Sequence, residues 1–162
     1  MIESVTFRRE VRPSDPDSVR EIIESTGFFY DFEVPVAVEL IEDKLHSGDS
    51  CDYEFLFAEV SGKTIAYTCF GPIACTEGSF DLYWIVTHHD FRGKGIGRKL
   101  IDETHRIIRE MGGRIVIAET SSTEKYLPTR RFYESLGYAN EGMIADFYKQ
   151  GDGKVYFVKR FK

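Results

Sequence analysis

The chain reads as an α/β layer domain built on a mixed β-sheet, and three features of its sequence predict that class. Short runs rich in Val, Ile, Phe and Tyr, bounded by Gly and Pro breaks, alternate with segments whose apolar residues recur at helical spacing. The order of these segments is β-α-α-β-β-β-α-β-α-β-β, with helices interleaved among strands. A length of 162 residues, 42% of them apolar and 14% aromatic, suffices for one hydrophobic core, so residues 1–162 are expected to form a single domain.

Val5 to Arg12 alternate weakly and stop at Pro13, which predicts a first strand. Asp15 as a cap, Pro16 in the first turn, the face Val19, Ile22 and Ile23, and a stop at Gly27 predict a helix. The aromatic patch Phe28-Phe29-Tyr30-Asp31-Phe32 follows, and most of its rings are expected in the core. A second helix opens at Pro35, carries Val38, Ile41 and Leu45, and closes at Gly48. Tyr53 to Val60 and Thr64 to Phe70 read as a hairpin turning at Ser61-Gly62-Lys63. After a polar loop at Thr76-Glu77-Gly78, Phe80 to Thr87 form a strand that runs straight into a glycine-rich segment.

Behind that segment Ile96, Leu100, Ile101, Thr104, Ile107, Ile108 and Met111 recur every three or four residues, an amphipathic helix ended by Gly112-Gly113. Arg114 to Ala118 is almost uniformly apolar and reads as a short strand covered on both faces. Pro128 opens a last helix with Phe132, Tyr133 and Leu136, closed by Gly137. Tyr138 to Tyr148 and Lys154 to Phe161 complete the sheet around the turn Gly151-Asp152-Gly153.

The formal charge of -6 argues against a surface that tracks nucleic-acid phosphates, and favours a cationic or amine-bearing partner. Residues Met1 to Thr6 lack a basic region followed by an apolar run, and no stretch approaches the length of a membrane span. A soluble, cytoplasmic protein without membrane association, monomeric or homodimeric, is expected. Cys51, Cys69 and Cys75 are odd in number and show no CxxC spacing, so they read as reduced thiols. The histidines, His88 and His89 included, have no helical metal-ligand spacing, and no metal is expected.

Arg92-Gly93-Lys94-Gly95-Ile96-Gly97-Arg98 lies between a strand and a helix. Such a junction is an anion site, because the first helical N–H groups are unpaired and the dipole favours negative charge. Side chains at the three glycines would hold a pyrophosphate off the backbone, whereas Arg92, Lys94 and Arg98 add cations at the rim. A P-loop is excluded because Ile96 follows Gly95 and no Gly-Lys pair precedes a hydroxyl residue. The dinucleotide fingerprint is excluded because its third glycine would fall on Arg98.

The remaining pattern, R-x-x-G-x-G at Arg92, Gly95 and Gly97, together with Phe132-Tyr133-Glu134-Ser135-Leu136-Gly137-Tyr138, resembles the GCN5-related N-acetyltransferase (GNAT) family over nearly the whole chain. The resemblance implies a splayed, GNAT-like mixed sheet with helices on both faces and acetyl-CoA as cofactor. It further implies backbone contacts to the pantetheine arm from Ile85, Val86 and Thr87, and pyrophosphate contacts from Arg92, Gly93, Lys94, Gly95, Ile96, Gly97 and Arg98. Thr87 and His89 stand where the family commonly has valine and proline, and Tyr126 stands where it often has asparagine.

Transfer of an acetyl group to an amine needs a neutral amine, a stabilised oxyanion and a proton for the departing thiolate. The resemblance places Tyr133 as the proton donor, an easy task since reference phenol and thiol pKa values differ by only about 1.5. Glu119, just beyond the apolar strand, is the expected base, with Glu77 and Asp81 as competitors, and any of the three could instead be a solvated surface carboxylate or bind the substrate's cation. His88 is a poor candidate because it adjoins the glycine segment. Acceptor selection is expected from Phe28, Phe29, Tyr30 and Asp81 and from the last hairpin around Phe147 and Tyr148. The acceptor is expected to be a primary amine of a small molecule or amino acid; a peptide N-terminus and a non-catalytic acyl-CoA-binding module are the alternatives.

Overall fold

The computed structural model describes residues 4–162; Met1, Ile2 and Glu3, part of the N-terminal reading above, lie outside the described residues. The elements are β1 Val5–Arg8, α1 Asp15–Thr26, α2 Glu33–Ser47, β2 Glu54–Val60, β3 Lys63–Pro72 and β4 Ser79–Thr87, followed by α3 Ile96–Glu110, β5 Ile115–Ser121, α4 Leu127–Ser135, β6 Ala139–Lys149 and β7 Asp152–Arg160. Short 3-10 turns at 48–50, 89–91 and 124–126 join some of them. The predicted order holds. The strands follow the sheet order β1-β2-β3-β4-β5-β7-β6, and the sheet is mixed because β4 and β5 run parallel.

The chain divides into two compact units, one running up to Gly71 and including Trp84–Ile107, the other comprising Pro72–Tyr83 and Ile108–Lys162. In the first, β1, β2 and β3 form an antiparallel ladder. The hairpin between β2 and β3 turns on Ser61 and Gly62, at φ 50° and 79°, the paired left-handed conformation of a two-residue turn. Phe55, Phe57, Tyr67 and Cys69 from this ladder pack with Val19, Ile22, Ile23, Val38 and Ile41 of α1 and α2. Leu45, expected on that apolar face, is instead exposed at the last turn of α2.

Asp15 departs from its expected role. It is the first residue of α1, and its carboxylate is buried against Arg8, with Nη1–Oδ2 and Nη2–Oδ1 both 2.8 Å. Arg8 also reaches Glu59 at 2.6 Å and lies 4.5 Å above the Phe57 ring, so one guanidinium joins β1, β2 and α1. A bidentate pair inside the fold holds this carboxylate more tightly than exposed helical N–H groups would. The paired carboxylates raise the Arg8 pKa further, Asp15 contributing most.

In the second unit β5 pairs with β4 over Ser79–Leu82 and with β7 along its whole length. Val116, Ala118 and Thr120 are buried, while Ile115 and Ile117 are half-buried and Glu119 is exposed. The strand is therefore covered on one face, not on two, and it continues through Glu119 to Ser121 because β7 supplies partners for those backbone groups. The final turn falls at Gln150-Gly151; Asp152 and Gly153 already belong to β7, where Asp152 is buried and accepts a 2.5 Å hydrogen bond from Ser121 Oγ. The three cysteines are free thiols, and no helix among the described residues is long and apolar enough to cross a membrane.

Candidate active site

The glycine segment has the geometry that its sequence predicts. His88 leaves β4 with its backbone N–H bonded to the Ile65 carbonyl at 2.8 Å, and its Nδ1 accepts the Asp90 N–H at 3.1 Å. The chain then turns through Gly93 and Gly95 at φ 75° and 77°, a conformation costly for other residues. The Gly95 carbonyl accepts the Lys99 N–H at 3.2 Å, which makes it the cap of α3 and leaves the next N–H groups without helical partners. No acidic residue occupies the first turn of α3, so nothing there neutralises the positive end of its dipole.

This turn suits a pyrophosphate. A Cβ built at Gly93 or Gly95 would enter open space, so the backbone there is reachable by an anion. Arg92, Lys94 and Arg98 are exposed around it, and Lys94 Nζ lies 5.3 Å from the Phe91 ring. Ile96 is buried and anchors the helix, as are Leu100, Ile101, Thr104, Ile107 and Ile108 behind it; Met111, expected on the same face, is exposed. Of the three residues preceding the turn on β4, Val86 is packed into the α1 and α2 core, while Ile85 and Thr87 are half-buried.

The aromatic loop divides. Phe29 packs edge-on against Phe28 and Trp84, with ring centroids 5.7 and 5.3 Å apart, and belongs to the core. Tyr30 and Phe32 stack on each other at 5.3 Å but are 44% and 71% exposed. The expectation that most of these rings fill the core is therefore corrected for Tyr30 and Phe32. An exposed parallel pair offers a flat apolar surface to a ligand.

The second unit assembles the titratable residues. Strand pairing places Asp81 opposite Ile117, Glu119 opposite Tyr156, and Ser121 opposite Lys154, so Asp81, Glu119, Tyr156 and Lys154 share one face. Lys154 Nζ is 2.9 Å from Glu119 Oε2, 3.7 Å from the Phe147 ring centroid and 5.7 Å from that of Tyr156. Asp81 accepts a hydrogen bond from Tyr83, and its carboxyl is raised chiefly by burial and secondarily by the Glu119 charge, with Tyr83 and Lys154 opposing. Glu119 lies inside β5, two residues before its end, and not beyond the strand as expected.

Phe147 reaches Lys154 because β6 bulges. Ile144 pairs with Lys154 and Lys149 with Asp152, so residues 145–148 face Gly153 alone. Asp146 takes φ 57°, and its Oδ1 accepts the Gly151 N–H at 2.7 Å, which holds the bulge shut. A Cβ at position 153 would lie 3.0 Å from the Ile144 carbonyl and 2.9 Å from Met143 Sδ, so glycine suits the close approach of the two strands. Tyr148, a predicted acceptor contact, is 48% exposed and meets Phe147 edge-on at 5.1 Å.

Tyr133 lies on the other face. It stacks on Phe157 at 5.7 Å and contacts the rings of Phe132 and Tyr138, and Phe157 is next to Tyr156 in β7 and points the opposite way. Burial pushes the Tyr133 phenol well above its ordinary value, so it stays protonated at every physiological pH. Lys154, Tyr156 and Tyr83 were not singled out by sequence reasoning. Only the alternation of Lys154 and Tyr156 along β7 hinted at a shared face, and their pairing depends on a bulge that leaves no local signature.

Comparison with known proteins gives the family. The family model described as "Acetyltransferase (GNAT) domain" matches residues 51–140, more than half of the chain. A crystal structure of a GNAT-family protein from Desulfovibrio desulfuricans is similar at 43% identity, covering 97% of this chain and 99% of that one, with a TM-score of 0.93. The fold is also shared with an aminoglycoside 6'-N-acetyltransferase complexed with coenzyme A, at 15% identity, 97% and 96% coverage and TM-score 0.75. The ribosomal-protein-S18-alanine N-acetyltransferase of Escherichia coli shares it too, at 16% identity, 97% and 94% coverage and TM-score 0.75. No curated protein matches the sequence. The chain belongs to the GNAT acetyltransferase family, whose members take their acyl group from acetyl-CoA.

Proposed function

We propose that the protein transfers acetyl to a primary amine of a small molecule or amino acid by direct attack of that amine, without a covalent enzyme intermediate. The observation that carries this reading is the accessible, acidic and aromatic face of Asp81, Glu119, Tyr83, Tyr156 and Phe147, which suits a compact cationic group. Bound acetyl-CoA supplies an activated thioester. The N–H groups opening α3, with Arg92, Lys94 and Arg98, hold its pyrophosphate, and the backbone at Ile85, Val86 and Thr87 lines its arm.

A carboxylate of the Asp81–Glu119 face removes the amine proton, and Tyr133 Oη, from the opposite face, protonates the leaving sulfur. The raised phenol is a weaker acid than a free tyrosine, and desolvation of the expelled thiolate would make that thiolate a stronger base, which works in the same direction. Phe28, Phe29, Tyr30 and Tyr148 are assigned to acceptor selection. The protein acts in the cytoplasm as a monomer or homodimer, without nucleic acid, membrane or metal.

Thiol release from acetyl-CoA against a panel of amines, amino acids and N-terminal peptides tests the reading. Turnover on free amines or amino acids is expected. Turnover confined to peptide N-termini overturns the acceptor class, and coenzyme binding with no transfer to any amine overturns the enzymatic reading.

A further inference from the structure

The backbone leading into the glycine turn is held by side chains, and one of them, His88, has no other task in the proposed reaction. Resting on the reading that places the acetyl-CoA pyrophosphate at the start of α3, we propose that His88 is a positioning residue. With Ser25 it presets the chain that enters Gly93, so that the turn is formed before the coenzyme arrives.

Four successive backbone N–H groups precede Gly93, and each has a partner. That of His89 donates to Ser25 Oγ at 3.0 Å and that of Asp90 to His88 Nδ1 at 3.1 Å. Those of Phe91 and Arg92 donate to the carbonyls of His88 and His89 at 2.9 and 3.3 Å. The last two bonds are the 3-10 turn itself and could form with almost any residues, whereas the first two depend on side chains. Proline, common in the family at position 89, would fix φ through its ring and has no N–H. His89 lacks the ring and keeps the N–H, and that N–H ties the turn to the end of α1.

His88 is itself firmly placed. It is buried, and its Nε2 lies 3.8 Å from Glu21 Oε1 on α1, which Lys63 Nζ also approaches at 3.1 Å. Asp90 Oδ2 is 4.0 Å from Nδ1, beyond hydrogen-bond reach, so the Asp90 amide and not its carboxylate is the partner of Nδ1. On its other side the imidazole meets the Phe91 ring edge-on at 6.0 Å, and Lys94 Nζ lies 5.3 Å from that ring. The imidazole thus fixes the turn through the Asp90 amide and supports the aromatic ring beside which Lys94 rests. A turn held in this way does not have to be ordered by the ligand, and affinity is gained because that ordering cost is absent from binding.

Calorimetric titration with CoA, initial rates with acetyl-CoA, and amide hydrogen exchange of the ligand-free protein test the proposal together. Asparagine carries an acceptor at the same distance along the side chain as Nδ1 and can bond the N–H two residues on, whereas glutamine carries its polar atoms one bond farther out. His88→Gln and His88→Leu should therefore weaken CoA binding by about tenfold, and His88→Asn should stay within about threefold of wild type. In the first two variants KM for acetyl-CoA should rise while kcat stays within about twofold, the pattern of lost binding and not of lost chemistry. The Asp90 amide should exchange slowly in wild type and His88→Asn and faster in His88→Gln, and Ser25→Ala should speed exchange at His89. Wild-type CoA affinity in His88→Gln, equal weakening in His88→Asn and His88→Gln, or an unprotected Asp90 amide in the wild type overturns the proposal. Gly95→Ala tells this failure from that of the parent reading. Weakened binding in Gly95→Ala beside wild-type affinity in His88→Gln overturns the role of His88 alone. Wild-type affinity in Gly95→Ala defeats the placement of the pyrophosphate, and exchange at Asp90 still decides whether His88 holds the turn.

Discussion

Replacing Gly95 with alanine should separate coenzyme binding from folding. Gly95 has φ 77°, where a side chain costs about 1–2 kcal/mol. A Cβ there meets nothing within 4 Å, so no clash adds to that strain in the free protein. For a domain of this size the loss corresponds to a drop in Tm of roughly 2–8 °C. The same methyl group would, on the proposed reading, enter the space through which the α3 N–H groups reach a phosphate. CoA affinity should weaken by about tenfold or more, or about 1.4 kcal/mol.

Gly113→Ala is the opposite case. Its Cβ would lie 2.3 Å from Ile108 Cγ2 and 2.8 Å from the Ile108 carbonyl, so overpacking of about 1–3 kcal/mol falls on the fold alone. Thermal melts with and without CoA at about 100 times Kd read both effects, since a bound ligand adds about 2.7 kcal/mol. The coenzyme-induced rise in Tm should shrink in Gly95→Ala and persist in Gly113→Ala. Wild-type CoA affinity in Gly95→Ala would show that the pyrophosphate does not lie on this turn.

Tyr133→Phe keeps the ring contacts with Tyr138 and Phe157, so Tm should barely move while kcat falls by about 10²–10⁴; full turnover at all pH values would remove the proton-donor role. Tyr67→Phe deletes a hydroxyl that is fully buried and has no hydrogen-bond partner among the described residues, and should stabilise the protein by about 1–3 kcal/mol, seen as a higher urea midpoint at unchanged slope. A lower midpoint would mean that the hydroxyl has a partner in solution. Arg8→Met leaves the buried Asp15 carboxylate without its cation and should cost about 3–5 kcal/mol in the same assay; a loss below about 1 kcal/mol would place the pair among ordinary surface ion pairs.

What the sequence disclosed follows from the range of the forces involved. The helix α3 and the glycine turn were legible because each is specified by near neighbours: a face recurring every three or four residues, and backbone angles that glycine alone adopts without strain. The β2–β3 hairpin was legible for the same reason at Ser61-Gly62. The end of β5 was not, because Glu119, Thr120 and Ser121 are polar and only β7, distant in sequence, makes them a strand. Gly151-Asp152-Gly153 has the composition of a turn, yet Ser121 and Ser122 bind Asp152 and Gly153 and draw both into β7. Lys154 was invisible as a site residue for the same physical cause, since nothing near it in sequence shows that Glu119 will lie beside it.

The alternation of side chains along β5 and β7 has a consequence for the proposed reaction. Ala118 and Phe157 face one way, Glu119 and Tyr156 the other, and Asp81 lies on the Glu119 side through its pairing with Ile117, so the phenol and the carboxylates are kept on opposite faces of the sheet. On one side they would hydrogen-bond to each other, and the proton wanted by sulfur would be shared with the group that must accept one from the amine. Kept apart, each group takes the environment its task needs. Tyr133 is enclosed by Phe132, Tyr138 and Phe157, which suits a proposed donor that must hold its proton until a thiolate forms. Asp81 and Glu119 retain contact with water, through which a proton taken from the amine can be returned to solvent after each turnover. On the proposed reading, the glycine turn selects the cofactor and this division of the sheet lets its thioester be used.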